Sequence, residues 1–144
     1  MSVESDLLQG LAARIAAAGV GTYPGPYSSA SPAVVFGDLP TSPDKAIGLT
    51  VYSARDAQTQ NLTYFRVQAF VRGAKNNTLS AGDLAAALFD VLHGVEAVQM
   101  GAVWVVSSSR VVVSPQGVDG DGRSLRADSY EFVCNTPTTP ARPG

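Results

Sequence analysis

A chain of 144 residues, 45% apolar and 15% charged, has room for one hydrophobic core of ordinary size without disulfides. Ten basic and twelve acidic side chains give a net charge of −2, which excludes a polycation that grips nucleic acid by counterion release. A single cysteine, Cys134, excludes an internal disulfide, and a single histidine, His93, excludes the usual multi-histidine metal sites.

Leu7, Leu8, Leu11, Ala12 and Ile15 recur at spacings of three and four, which predicts an amphipathic helix capped by Ser2 or Ser5 and ending near Gly19. Residues 20–29 mix two prolines and two glycines with aromatic and hydroxyl side chains, so a long irregular connection is expected. A short strand over 33–36, a proline-containing loop over 37–44 and a second strand over 46–53 follow. Residues 62–72 alternate most clearly: Phe65, Val67, Ala69 and Val71 form an apolar face, Tyr64, Arg66, Gln68, Phe70 and Arg72 a mixed one. Beyond Gly73, residues 74–78 read as a turn, and Ser80 precedes Asp83 by three residues, the spacing of a reciprocal helix cap. The helix it opens carries Leu84, Leu88, Val91 and Leu92 on one face and stops at Gly94. Strands are expected over 102–106 and 110–114, separated at Ser107, Ser108 and Ser109 by a bulge or a turn. Residues 117–122 turn the chain into a last strand over 125–134. From Asn135 on, Pro137, Pro140 and Pro143 lack the amides for continuous pairing, which predicts an extended tail.

These elements predict an α+β fold: one domain over residues 1–135, a mixed and mostly antiparallel sheet of four to six strands, two helices packed on one side, and a Pro-rich tail over 136–144. The acidic start Met1 to Asp6 lacks the basic residues of an export signal, and the longest apolar runs are too short to span a membrane. A cytoplasmic origin and no membrane insertion are expected.

Few groups here carry chemistry. Gly19 and Gly21 open like a dinucleotide loop, but Pro24 takes the third glycine position and a helix precedes where a strand is required. Asp119, Gly120, Asp121 and Gly122 open like a calcium loop, yet Arg123, Ser124 and Tyr130 occupy later positions that need a ligand, a glycine and a glutamate, so a hairpin turn is expected. His93 and Glu96 straddle Gly94 with no further ligands, and Cys134 reads as a small apolar filler of a strand. No catalytic residue, cofactor site or metal site is expected. Arg66 and Arg72, sharing one face of a strand, read either as a solvated face or as a surface for a partner.

The alanine-rich first helix, the strand closing in Phe70-Val71-Arg72-Gly73, the helix ending Leu92-His93-Gly94 and the final Asp128-Ser129-Tyr130-Glu131-Phe132 strand resemble the tail terminator proteins of long-tailed bacteriophages, also called minor tail or minor capsid proteins. The resemblance implies a non-enzymatic role in the virion, at the head-proximal end of the tail. There a hexameric ring would cap the tail tube, stop its polymerisation and face the neck or head-completion proteins, with DNA passing unread through the lumen. The alternatives are a head-completion or neck connector protein and, from a different class, a small ligand-binding module with a lid at residues 23–31. Head-to-tail rings need two different patches per subunit. The two ends of the long strand supply candidate contacts to neighbouring rings: Arg55 and Asp56 at one end, Arg72 and Lys75 at the other, with Arg66 on the face between them. The tail after Asn135 is a second candidate, as an arm that orders on a neighbour.

Overall fold

The structure, a computed structural model, describes residues 2–58 and 61–136. Helix α1 (Val3–Ala17) leads into β1 (Ala33–Phe36), β2 (Ala46–Asp56) and β3 (Leu62–Lys75); α2 (Ser80–Leu92), β4 (Val98–Met100), β5 (Val103–Val118) and β6 (Arg123–Asn135) follow. One sheet of six strands has the order β1-β2-β3-β6-β5-β4, with β1 parallel to β2 and every other pair antiparallel. The expected α+β architecture is therefore observed.

The alternation of β3 sets the centre of the sheet. Val67, Ala69 and Val71 are fully buried beneath the helices, beside Ile47 and Leu49 of β2 and Tyr130 and Phe132 of β6. Leu7, Leu11 and Ile15 of α1 and Leu84, Leu88 and Leu92 of α2 complete this core. Each large aliphatic side chain removed from water contributes about 1.5–3 kcal/mol, so the apolar face of each helix, rather than its intrinsic propensity, holds it in place. Helix α1 packs on β1 and β2 and also touches β4 and β5 at the far end of the strand order, so the sheet curls around the two helices.

Ser2 caps α1 by accepting from the Ser5 amide at 3.0 Å, which selects between the two expected caps. At α2 the expected local cap is not formed. Ser80 turns back to accept from the Ala74 amide, and Ser124 of β6 accepts from the Ala81 amide instead. A helix end wedged against a strand can take its cap from that strand, a partner far outside the local sequence window. Gly73 permits the approach: a Cβ there would lie 2.6 Å from the Ala81 amide nitrogen.

Ser107 to Ser109 do not divide the segment into separate strands. β5 runs through them with a bulge between Val105 and Ser107, and Ser108 is buried as a fastener. Its hydroxyl donates to the Leu92 carbonyl at 2.6 Å and accepts from the Val95 amide at 2.8 Å, tying the exit of α2 to the sheet. β4 lies outside the expected strands; its three residues are too few for a periodic signal. The irregular connection after α1 is pinned to β1 by Tyr27, whose hydroxyl donates to the Val34 carbonyl, and by a bridge between Thr22 and Ala33. Of the Pro-rich segment, residues 137–144 lie outside the described residues.

Candidate assembly interface

The helix-free face of the sheet holds every second residue of β3, and its two halves differ. Near β1 the loop over residues 37–44 folds across it. Arg72 rises from β3 into that loop and donates from Nε to the Asp44 carbonyl at 2.7 Å and from one terminal nitrogen to the Pro40 and Pro43 carbonyls at 2.6 and 2.9 Å. Only 6% of Arg72 is exposed, and burial, with Arg123 nearby, pushes its pKa below the ordinary value. The expectation that Arg72 offers an exposed contact is thus corrected. Its guanidinium is consumed by three main-chain carbonyls and ties residues 40–44 to the sheet.

Arg123 extends the same clasp to the β5–β6 turn. Its Nε donates to Asp119 at 2.8 Å, and its terminal nitrogens reach Asp121 at 3.1 Å and Asp44 at 3.4 Å. Burial works against the charge on Arg123, and the Asp119 hydrogen bond with the surrounding carboxylates outweighs it, so the pKa is raised. Asp119 also accepts from the Arg123 and Asp121 amides at 2.9 Å each, and these bonds, the Arg123 amide first, lower its pKa. The guanidinium thus occupies the middle of the acidic turn that resembles a calcium loop.

At the other end the remaining candidates stand in the open. Arg55 lies over the Tyr64 ring, 4.1 Å from its centre, and Asp56 accepts from the Thr63 hydroxyl at 2.6 Å. Arg66 donates from Nε to Glu131 across the β3–β6 pair at 3.2 Å, and that bond, followed by one to Tyr52, raises its pKa. With half-exposed Tyr52, Arg55 and Arg66 make a polar and aromatic surface on this face, while Asp56 turns with Thr63 to the helix side. Lys75 is exposed at the far end of β3, so the structure groups Arg55 and Arg66, sets Asp56 beside them on the opposite face of the sheet and leaves Lys75 apart.

Other singled-out residues are absorbed by the fold. His93 stacks on Phe89 with ring centres 4.4 Å apart, and its Nδ1 accepts from the Arg110 amide at 3.0 Å, which leaves the neutral ring protonated at Nε2. Cys134 is fully buried, and burial pushes its thiol up to about 12. Among the described residues no cluster of His, Cys, Asp and Glu could hold a metal ion.

Sequence reasoning missed the outer edge of β5. Val111, Val112, Val113 and Val118 are 39%, 47%, 44% and 56% exposed. The signal was present in the three consecutive valines, since a strand under one helical layer can bury only alternate residues. A bulge between Arg110 and Val112 and the absence of β4 beyond Val105 leave all three uncovered.

The profile of the family described as "Bacteriophage tail terminator protein" matches residues 14–136. The chain belongs to the bacteriophage tail terminator family. It is accordingly a structural capping component of the phage virion, working with the tail tube and head-joining parts, and not an enzyme. In structure it is also similar to a chain described as "Virion of native gene transfer agent (GTA) particle". The TM-score is 0.58 at 12% identity, over 92% of this chain and 94% of that one, a likeness that speaks for the fold. Among curated proteins none matches.

Proposed function

We propose that this tail terminator acts as a hexameric ring seated on the last ring of the tail tube, ending polymerisation and presenting its opposite side to the neck, with DNA passing through the lumen. The observation that carries the ring is the apolar edge of β5. Four exposed valines on a strand edge that no other described strand covers are a surface that soluble proteins shield with another polypeptide. Sparse charge on the rest of the molecule is consistent with a subunit enclosed by neighbours.

Axial contacts fall to the ends of β3. Arg55 and Arg66 form the group at one end, with Asp56 on the opposite face of that end; guanidinium groups on a rigid sheet can make directional pairs with a partner ring there, and Lys75 serves the other end. Arg72 supports this indirectly by holding its loop. Electron microscopy of lysates from phage lacking this gene tests the reading: overlong tubes without heads are expected, and tails of normal length with an undiminished phage yield would overturn it.

A further inference from the structure

The sheet has a second uncovered edge. β1 pairs only with Ala46 to Leu49, so the outer side of β2 from Thr50 to Arg55 has no strand partner among the described residues. At the opposite side of the sheet, β4 pairs with Val103 to Val105, and the loop after α2 bonds to Val106, Ser108 and Arg110. From Val111 onward the outer side of β5 is likewise without a strand partner among the described residues.

We propose that these two stretches are the two halves of one intersubunit joint: the Val111 to Ser114 edge of each copy pairs with the Thr50 to Arg55 edge of the next, making the sheet continuous from subunit to subunit. The proposal rests on the ring reading above and names its contact.

Three properties of the edges fit. Direction comes first. β2 and β5 run oppositely within the sheet, because three antiparallel steps separate them. Copies set side by side in the same orientation therefore meet antiparallel, the pairing most of this sheet already uses. Charge is the second. Arg110 and Arg126 share the single buried carboxylate of Asp128 at 3.5 and 2.7 Å, leaving one positive charge in excess on the helix side of β5. On the helix side of the β2 edge stand Asp56 and Glu4, which line a common cleft. A continuous sheet keeps its faces aligned, so the surplus cation of one copy meets the acids of the next. Side chains are the third: half-exposed Tyr52 on β2 faces exposed valines on β5, and an aromatic residue beside a β-branched one is a favourable cross-strand pair.

The joint is also selective. Pro115 has no amide to donate, and β5 slips register against β6 at Val111 and again between Pro115 and Gly117. These devices confine pairing to a short stretch and discourage two β5 edges from joining each other. Because the contact unites two different edges, it propagates head to tail and closes only as a ring.

A mixing experiment tests this without knowledge of the register. Val112→Lys disables the β5 edge alone and Tyr52→Lys the β2 edge alone; both positions are exposed, and thermal melting confirms that each variant folds. Masses are measured by light scattering, for the free protein and for material bound to blunt tail tubes. Each variant alone is expected to lose self-association by about tenfold or more. Their equimolar mixture is expected to form a heterodimer that grows no further, since one sound edge of each kind remains. A mixture that stays monomeric while the wild-type chain assembles, or a Val112→Lys variant that assembles normally, overturns the joint and leaves the ring standing. A wild-type chain that binds tube ends as single copies overturns the ring, and the joint with it.

Discussion

The two ends of β3 carry arginine on the same face of the same strand and use it in opposite ways. Arg72 is sealed beneath a loop and spends its donors on three main-chain carbonyls, whereas Arg66, six residues earlier, meets solvent, the Glu131 carboxylate and Tyr52. The difference lies in what covers each residue. A loop of prolines and turns has few internal hydrogen bonds, so its carbonyls need an outside donor, and a planar guanidinium can serve several at once. One end of the strand is thereby fixed as scaffold and the other left exposed.

The largest effect should come from breaking the fixed end. Arg72→Ala removes the donor to Asp44, Pro40 and Pro43 and should lower stability by about 3 kcal/mol in denaturant unfolding. Arg72→Lys should recover little, because an ammonium cannot reproduce the fork. Wild-type stability in Arg72→Ala would mean that the loop needs no clasp. A smaller loss, about 1–2 kcal/mol, is expected for Arg123→Met, since its carboxylate partners Asp121 and Asp44 are well exposed and recover hydration.

Strand alternation made the two faces of β3 legible from sequence, and the helices from their apolar spacing, because those signals live within a few residues. What covers a face is a tertiary matter. Nothing local to Arg72 says that residues 40–44 lie over it, and nothing near Ser80 says that Ser124 will cap α2 from 43 residues away. The serines at 107–109 read as a break for the same reason: Ser108 owes its place to Leu92 and Val95. The candidate interface was half visible. Arg55, Asp56 and Arg66 could be read as exposed polar residues on a strand and its end, while the valine edge of β5 emerges only once β4 is seen to stop short.

The acidic turn beside the fixed end gives a pH-dependent form of the contrast. Asp119 has a lowered pKa in the folded chain, so its contribution to stability is present above the ordinary carboxylate range and disappears as pH falls through the lowered value. Acid unfolding should therefore be less steep in Asp119→Asn than in wild type, and an unchanged pH profile would show that the turn is held by its backbone alone.

The smallest effects on stability belong to the open end, and there the readout changes. Arg66 and Glu131 are paired across two strands in a half-exposed setting, where an ion pair adds little because water screens it and long side chains must be ordered. Arg55 over Tyr64 is likewise at the surface. Arg55→Ala and Arg66→Ala should melt with the wild-type chain yet fail to limit tail length when supplied to phage lacking the native gene. Normal tails from the double variant would remove this end of β3 from the axial contact. A fall in melting temperature would instead mean that both ends of the strand serve the fold, erasing the distinction between them.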